Sequence, residues 1–360
     1  MSRSGFLHRC FGFLGRKFGS SHPGIRLRSK VKDYKKYGFF QSLKPHKYGF
    51  SVANWNIFEL TPQSCSDYLS DAQYVKMHPL NGIFSKWIDD KLTLKYLLAG
   101  TELNRYMPEY YFQIDGKGAL LTLPDFPQRN GKSGFGAVAD YLKGKKELAV
   151  KKIAGSIGAG FYKAEYDGTH FLLNGEAFDE EGFLRKLETL RNYLIIEYLH
   201  PHPELAEYCP ATVNSIRFLA GRMENELKML KGFIRFGTKK SGFVENYNAG
   251  GVLCYLDGDG KFTEGNVLEG KKNQKIRTHP DSGKELSGQI PEWDQIREIV
   301  GKFSQYFPQL SYLGFDFVIT SEGKVKMLEI NSLTSLDSLQ LDGSILLGPS
   351  GDFFRERIGK

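Results

Sequence analysis

Three residues near the C-terminal end, Asp316, Glu329 and Asn331, have the side-chain types and the spacing of a site for a hard cation. They lie in two runs rich in β-branched and aromatic residues, 315–320 and 324–330, which predict the strands of a β-hairpin. Two carboxylates that face each other across a hairpin repel, and a cation between them would remove that repulsion. Carboxylates and an amide, with the other ligands supplied by water and phosphate oxygens, are typical of a Mg²⁺ site that serves a nucleotide. The alternative is a hairpin whose acidic side chains simply face water.

The register of this hairpin follows from its turn. A two-residue turn at Glu322 and Gly323 places Asp316 directly opposite Glu329. Side chains alternate along a strand, so Asn331 shares the face of Glu329. The opposite face is apolar and is expected to enter the core through Phe315, Phe317, Leu328 and Ile330.

The segment Glu147–Tyr162 combines basic and glycine residues in a pattern suited to phosphate. It predicts a strand that ends in Lys151 and Lys152, a glycine-rich turn, and a second strand. Glycines in the turn let backbone N–H groups approach phosphate oxygens, because no Cβ stands in the way. The segment is not a Walker A loop, since its lysines precede the glycines and no helix follows. The alternative is an ordinary glycine-rich hairpin turn.

Length and composition exclude several classes of protein. With 360 residues, of which 41% are hydrophobic, the chain can bury a substantial core and is expected to form two or three lobes. Its four cysteines are far apart and form no C-x-x-C pair, which argues against a zinc site or a disulfide framework and fits a reducing cytoplasm. No apolar run approaches the length of a membrane span.

The net charge of +8 is concentrated at the N-terminus. Residues 1–40 contain ten Lys or Arg and one acidic residue, so the rest of the chain is close to neutral. A nucleic-acid-binding protein would carry its positive charge on the folded domain, and we therefore expect no nucleic-acid partner. Apolar residues at helical spacing among these cations predict an amphipathic helix on an anionic membrane surface; they are Phe6, Leu7, Cys10, Phe11, Leu14 and Phe18. Glycines weaken this helix, and a frayed basic tail is the alternative.

Elsewhere, periodicity and turn residues predict the main elements. Helices are expected at 84–98, 179–191 and 291–306, and strands at 193–199, 213–237 and 251–262. Asp257–Gly260 lacks the spacing of an EF-hand and predicts a hairpin turn. Residues 41–75 are aromatic-rich and irregular, and no role is assigned to them.

Several of these segments together resemble the ATP-grasp superfamily, and within it the sugar-transfer-associated branch found with cell-surface polysaccharide genes. The resemblance covers about residues 80–345. It rests on an ordered set of motifs: Asp90-Lys91; Val150-Lys151 followed by the glycines of 155–160; Ile195–Leu199; Val213–Arg217; Ile234-Arg235 with Glu245-Asn246 and Gly250-Gly251; His279-Pro280-Asp281; and Asp316 with Glu329-Ile330-Asn331. Each motif is common, but the set in this order is specific.

The resemblance implies an α+β fold of the ATP-grasp type, in which two α+β lobes clamp ATP, with an N-terminal basic extension. Residues 1–40, which precede the resemblance, are expected from their charge to form the basic extension, with membrane contact as one of its two alternatives. Residues 41–145 would form the N-terminal region and first lobe. Residues 146–200 form the lid subdomain with the glycine-rich hairpin, and residues 201–360 form the C-terminal lobe with the metal site.

The resemblance also implies roles for the candidate site residues, with ATP and Mg²⁺ as cofactors. The nucleotide would be bound by Lys91, Lys151, Gly155, Ser156, Gly158, Gly160, Glu197, Tyr198 and Leu199. Asp316, Glu329 and Asn331 would hold one or two Mg²⁺ ions. Arg217 and Arg235 would be catalytic, stabilising charge on the transferring phosphoryl group or on a tetrahedral intermediate. The glycine-rich loop would close over the phosphates as a lid.

Two positions depart from the family pattern. Position 152 is Lys where many members have Pro, which leaves open whether Lys151 or Lys152 reaches the phosphates. Position 314 is Gly where several ligases of the superfamily carry Arg, so the oxyanion-stabilising role must fall to another residue.

The activity implied by the resemblance is that of a cytoplasmic ATP-dependent carboxylate–amine ligase that forms an acyl phosphate and releases ADP. Its partners would be small-molecule or glycan-linked carboxylate and amine substrates, such as an amino acid and a sugar or glycan precursor. Two alternatives remain open: a kinase that phosphorylates a hydroxyl group with the same ATP site, and a non-catalytic partner of a glycan assembly complex. The sequence does not indicate the oligomeric state.

Overall fold

A computed structural model describes residues 22–127, 133–154, 160–270 and 272–358. Two seven-stranded antiparallel sheets with helices packed on them form the body of the protein, which confirms the predicted α+β class. No helix in these ranges is long and apolar enough to cross a membrane.

The elements follow one another along the chain without internal repetition. The α-helices are α1 (His22–Tyr37), α2 (Phe39–Lys47), α3 (Val52–Ile57), α4 (Asp71–Met77), α5 (Lys91–Leu98), α6 (Phe135–Lys145), α7 (Glu180–Glu188), α8 (Pro203–Ala206), α9 (Trp293–Tyr306) and α10 (Gly348–Ile358). Short 3₁₀ turns occur at Cys65–Asp67, Gly82–Trp87, Glu102–Tyr106, Tyr247–Ala249 and Asp337–Leu339. The strands are β1 (Tyr110–Ile114), β2 (Leu120–Thr122), β3 (Glu147–Lys152), β4 (Tyr162–Tyr166), β5 (Phe171–Leu173), β6 (Glu176–Phe178), β7 (Tyr193–Glu197), β8 (Ile216–Met223), β9 (Glu226–Phe236), β10 (Val252–Leu256), β11 (Lys261–Phe262), β12 (Gly265–Glu269), β13 (Lys272–Ile276), β14 (Gly288–Gln289), β15 (Tyr312–Ile319) and β16 (Val325–Asn331).

The first sheet has the strand order β2-β1-β7-β3-β4-β5-β6. Helices α6 and α7 cover one face, and buried Leu142 and Phe183 pack into the same apolar cluster as Ile195 of β7. Helix α7 begins where the Asp179 carboxylate accepts a hydrogen bond from the Gly182 N–H, as expected of an N-cap. The predicted boundary between the first lobe and the lid subdomain lies between residues 145 and 146. Strand β1 precedes this boundary and β3 follows it, so the boundary divides a single sheet.

The second sheet has the strand order β13-β12-β10-β9-β8-β15-β16. Alternation along β15 sends Phe315 and Phe317 to one face, where Phe303 of α9 packs against them. Tyr312 lies on the other face, where it contacts Phe353 and Phe354 of α10. All eight residues of β15 are buried, so this strand is covered on both faces.

Residues 41–75 are more regular than their sequence suggests. Helix α3, helix α4 and part of α2 lie within them, and each is only six to nine residues long. Helices this short gain most of their stability from tertiary packing rather than from local propensity. Tyr74 of α4 supplies that packing, since its hydroxyl bonds the Tyr312 hydroxyl at 2.7 Å and donates to the Thr334 carbonyl at 2.6 Å. This region therefore braces the second sheet.

The single helix expected at 84–98 is two elements, a 3₁₀ turn followed by α5. Helix α5 starts only after Asp90, whose carboxylate accepts from the Thr93 N–H at 2.7 Å. The preceding Asp89 turns away to bind Ser332, through its N–H at 2.9 Å and its hydroxyl at 2.7 Å. The two acidic residues thus separate the elements and tie the start of α5 to the segment after β16.

The hairpin of β15 and β16 confirms that Asp316 lies opposite Glu329, but the expected two-residue turn is wrong. The Thr320 N–H donates to the Lys324 carbonyl, so the loop holds three residues, and Gly323 at its end has a φ of 73°. That conformation favours glycine and is typical of a three-residue hairpin loop.

A β-bulge beside Asp316 restores the predicted register. Asp316 pairs with Glu329, whereas Phe317 pairs with Met327, so Leu328 is the extra residue. The sequence prediction sent Leu328 into the core, but this bulged side chain lines the cavity described below. Phe315, Phe317 and Ile330 enter the core as expected.

Replacing Gly314 by Ala should lower the free energy of unfolding by about 1–3 kcal/mol, the cost of an overpacked interior. A Cβ at this position would overlap Thr334 Oγ1 and lie 3.1 Å from Arg217 Nη1. Gly301→Ala in α9 is the matched control, because a Cβ there meets nothing within 4 Å and Ala favours the helix. Urea unfolding of both variants measures the difference, and equal stability would mean that this space is not filled.

Candidate nucleotide and metal site

A cavity of about 370 Å³ lies between the two sheets. Strands β3 and β7 supply one wall, and strands β8, β9, β15 and β16 supply the other. Its size is in the usual range for a small-molecule site. The candidate residues that line it are Lys91, Lys151, Glu197, Tyr198, Leu199, Arg217, Arg235, Asp316, Glu329 and Asn331. Residues distant in sequence thus meet around one space.

Glu329 is paired with Lys91, and Nζ of the lysine lies 2.6 Å from Oε2. Lys91 is the first residue of α5, and its N–H donates to the Ile153 carbonyl at 3.5 Å. The other carboxylate oxygen of Glu329 accepts from Asn331 Nδ2 at 3.2 Å. Burial by itself would raise the pKa of Glu329, but Lys91, Lys151 and Asn331 outweigh burial and lower it to about 2. Glu329 is therefore an anion at every physiological pH.

Asp316 is held by two arginines from neighbouring strands. Arg217, directly opposite on β8, donates from Nε to Oδ1 at 2.7 Å and from Nη2 to Oδ2 at 2.8 Å. Arg235 on β9 donates from Nη2 to Oδ1 at 2.8 Å and to the Ser215 hydroxyl at 2.6 Å. Burial lowers the pKa of Arg217, but Asp316 and Glu329 outweigh burial, so the net shift is upward. Neither carboxylate needs a metal to balance its charge, which differs from the sequence argument.

The two arginines differ in the donors that they have left. Arg217 uses Nε and Nη2 on Asp316, and its Nη1 donates to Thr334 Oγ1 at 3.3 Å. The Nε of Arg235 is buried and has no hydrogen-bond partner among the described residues. A buried donor without a partner is uncommon in native proteins, and an oxygen atom of a ligand would satisfy it.

The residues around the carboxylates also fit a magnesium ion. A carboxylate has about four lone-pair positions, and Arg217 and Arg235 occupy three of those on Asp316. One position on its Oδ2 remains, together with positions on Glu329 and the amide oxygen of Asn331. These are hard oxygen donors, as Mg²⁺ requires, but they are too few for a complete shell. In keeping with this, no group of three or more His, Cys, Asp or Glu in the described ranges could hold a metal by itself.

Lys151 is the lysine that faces the charged cluster. Burial and the nearby charge of Lys91 lower its pKa to about 7, against the opposing effect of Glu329 and Asp316. Lys152 also lines the cavity, but its side chain extends toward Gly160. A Cβ added to Gly160 would lie 2.9 Å from Lys152 Cε. Lys151 is therefore better placed than Lys152 to meet an anion beside Glu329.

One end of the cavity is apolar. Glu197, Tyr198 and Leu199 lie where β7 ends, so the backbone of Tyr198 and Leu199 extends beyond the pairing of the sheet. Side chains from both lobes form the apolar lining, and these are Ala149, Phe161, Ile196, Leu199 and Leu328. A flat, largely apolar ring such as a purine base fits such surroundings.

Three glycine-loop candidates, Gly155, Ser156 and Gly158, lie outside the described residues, so their predicted role in phosphate binding stays a prediction. Gly160 is described and has a φ of 79°. A Cβ there would overlap the Tyr193 hydroxyl, which explains the requirement for glycine.

Several lining residues were absent from the predicted site. Ser215 and Thr334 hold Arg235 and Arg217, and Phe243 and Asn246 line the cavity from the segment before β10. Ser215 falls within the recognised motif Val213–Arg217, and Asn246 falls within the motif Glu245-Asn246, so both could have been selected. No signal in the sequence marks Thr334 or Phe243.

Comparisons with known proteins agree with the sequence resemblance. The model of the family described as sugar-transfer associated ATP-grasp matches residues 74–349. A search of curated proteins finds no match.

Among solved structures, one similar chain is the ATP-grasp ligase PsnB complexed with a minimal precursor, at 11% identity and a TM-score of 0.40. The match covers 78% of the present chain and 63% of that chain. Another is D-alanyl-alanine synthetase A from Vibrio cholerae, at 12% identity and a TM-score of 0.42, covering 76% and 65% respectively. The present chain thus spans less than two thirds of each of these proteins.

Proposed function

Because the chain belongs to the sugar-transfer associated ATP-grasp family, we propose that it is an ATP-dependent carboxylate–amine ligase that releases ADP. The observation that carries this proposal is the charge of the cavity. Four basic side chains, those of Lys91, Lys151, Arg217 and Arg235, converge on the carboxylates of Asp316 and Glu329, and Lys152, Glu197 and Glu245 also line the cavity. This convergence of basic side chains fits the phosphates of a nucleotide, since phosphoryl transfer depends mainly on positioning and charge neutralisation.

In the proposed reaction, a substrate carboxylate oxygen attacks the γ-phosphorus of ATP, the bond to the β-phosphate oxygen breaks, and ADP leaves. An amine nitrogen then attacks the acyl carbon, phosphate leaves with the oxygen that it received, and the nitrogen loses a proton. Lys91 and Lys151 bind the phosphates, and the end of β7 binds the base. Mg²⁺, held by Glu329, Asn331 and Oδ2 of Asp316, would neutralise phosphate charge and orient the γ-phosphoryl group.

The two arginines have different proposed roles. The buried Nε of Arg235 has no hydrogen-bond partner within the described ranges, so we assign Arg235 to stabilise the transferring phosphoryl group or the tetrahedral intermediate. Arg217 donates hydrogen bonds to Asp316 and Thr334, and its proposed role is to position Asp316. Gly314 has no side chain, and the Arg217 guanidinium lies in the space beside it. We therefore assign the oxyanion-stabilising role to Arg235 on strand β9.

The family description is compatible with a sugar or glycan precursor as one substrate. As the other substrate we propose an amino acid, with one partner supplying the carboxylate and the other the amine. The use of ATP and three unpaired cysteines in the described ranges, Cys65, Cys209 and Cys254, fit a cytoplasmic protein.

A screen of ADP release against mixtures of amino acids and amino sugars tests the proposal. Hydroxylamine in the assay should convert an acyl phosphate into a hydroxamate, and mass spectrometry should detect an amide when the amine is present instead. ADP release with a phosphate ester and no hydroxamate would establish the kinase alternative. No ADP release from any mixture, despite ATP binding, would favour a non-catalytic partner of a glycan assembly complex.

Binding of MgATP at pH 8 should take up about one proton at Lys151. With a pKa of about 7 its amine is largely neutral at that pH, and the phosphates favour the charged form. The affinity for MgATP should therefore be highest below pH 7, where Lys151 is charged, and should fall by up to about tenfold per pH unit above pH 7. Calorimetry in buffers of different ionisation enthalpy measures the uptake. Lys151→Arg keeps the positive charge but should abolish the proton uptake. If the wild-type protein binds MgATP without taking up a proton, Lys151 does not contact the phosphates.

A further inference from the structure

Helix α2 exposes three large apolar side chains on the described surface of the protein. Phe40 is 85% exposed, Phe39 56% and Leu43 45%. The opposite side of α2 is packed inward, because Ser42 and Pro45 are buried. Phe40 and Leu43 are three residues apart and therefore share the outer side of the helix. Solvent exposure of two adjacent phenylalanines and a leucine is unfavourable unless they have a partner.

The exposed charged side chains of residues 30–47 are all basic. Exposed lysines precede it on α1 and follow it on α2; they are Lys32, Lys35, Lys36, Lys44 and Lys47. The acidic residue of this hairpin, Asp33, is buried and points inward. Its carboxylate accepts from the Val52 N–H and pairs with the His46 ring, both at 2.9 Å. The exposed surface of residues 30–47 therefore carries no compensating negative charge.

We propose that this α1–α2 surface, formed by Phe39, Phe40, Leu43 and the five exposed lysines, binds an anionic lipid bilayer. The phenylalanines and the leucine enter the boundary between headgroups and acyl chains, and the lysines contact lipid phosphates. The proposal is independent of the ligase assignment, since none of these residues lines the cavity.

The positive charge of the α1–α2 surface argues against two other occupants, residues 1–21 and a second copy of the chain. Residues 1–21 contain four Lys or Arg and no acidic residue, so the basic surface would repel them. A second copy of the same surface has the same sign of charge and would be repelled as well. A nucleic acid satisfies the lysines, but a bilayer also buries the apolar side chains.

Co-sedimentation of the full chain with vesicles tests this proposal. Binding is expected to vesicles that contain phosphatidylglycerol and not to pure phosphatidylcholine, and salt should reverse it. Phe40→Ser with Leu43→Ser should weaken binding at least tenfold, and Lys35, Lys36, Lys44 and Lys47 changed to Gln should do the same. Ile83→Ser with Leu347→Ser is the matched control, because these apolar side chains are 78% and 70% exposed elsewhere. Equal binding by the surface variants and the control would overturn the proposal.

Photo-crosslinking identifies the occupant directly. With p-benzoylphenylalanine in place of Phe40, irradiation in the presence of the same vesicles should give lipid adducts. Crosslinks to residues 1–21 or to a second copy, in place of lipid adducts, would refute the bilayer as the occupant. Tighter binding of single-stranded RNA than of vesicles would refute it as well. ATP binding should be unchanged in every surface variant, which separates failure here from failure of the proposed function.

Discussion

Glu329→Gln should reduce ATP turnover on the order of a thousandfold while leaving the fold intact. The substitution removes a proposed metal ligand, and the loss of several kcal/mol of transition-state stabilisation corresponds to about this factor. In the wild-type protein Lys91 Nζ lies 2.6 Å from the Glu329 carboxylate. The fold should survive because the glutamine amide oxygen can still accept a hydrogen bond from Lys91. Steady-state ADP release and circular dichroism are the measurements.

A second readout separates loss of the metal from loss of nucleotide binding. Without Glu329 the cluster is more positive, so metal-free ATP should bind the variant at least as tightly as it binds the wild-type protein. Glu322→Gln is the matched control, because this exposed glutamate lies in the turn of the same hairpin and pairs with Lys324 at the surface. Full turnover by Glu329→Gln would remove Glu329 from the metal site.

Asp316→Asn should be the most destabilising single substitution in the cavity. It leaves the guanidinium groups of Arg217 and Arg235 without their common anion, and breaking a buried ion pair in this way typically costs 3–5 kcal/mol. Arg235 is partly open to the cavity, so for a chain of 360 residues we expect a loss of about 3 kcal/mol and a fall in Tm of roughly 4 °C. ATP should restore part of the loss, because its phosphates supply the missing negative charge.

Asp342→Asn is the appropriate comparison for that substitution. Lys231 donates to both oxygens of Asp342, at 2.8 and 2.7 Å, so the number of hydrogen bonds is similar. This pair is more exposed, and such pairs contribute only about 0–1 kcal/mol. Denaturant unfolding of both variants gives the difference, and equal values would contradict the role of Asp316 as the anion that holds the two arginines.

The helix and strand predictions succeeded where short-range chemistry dominates. The hairpin of β15 and β16, the turn at Asp257–Gly260 and the helix capped by Asp179 follow from alternation, turn residues and a capping carboxylate. The helices of residues 41–75 were missed because they are short and are stabilised by distant partners such as Tyr312. The register at Asp316 was right although the turn was wrong, since a bulge at Leu328 offsets the longer loop.

The family, the α+β class and ten of the residues that line the cavity were accessible from motif order and residue type. The partner of each charged group was not. Lys91 meets Glu329 because Asp89 anchors the start of α5 beside β16, and Arg217 meets Asp316 because β8 pairs with β15. Such pairings join segments far apart in the chain, and they depend on sheet order and register. Residue type identifies which groups carry charge, but the pairing of the strands determines which charges neutralise one another and leaves Arg235 Nε without a hydrogen-bond partner in the part of the chain that the structure describes.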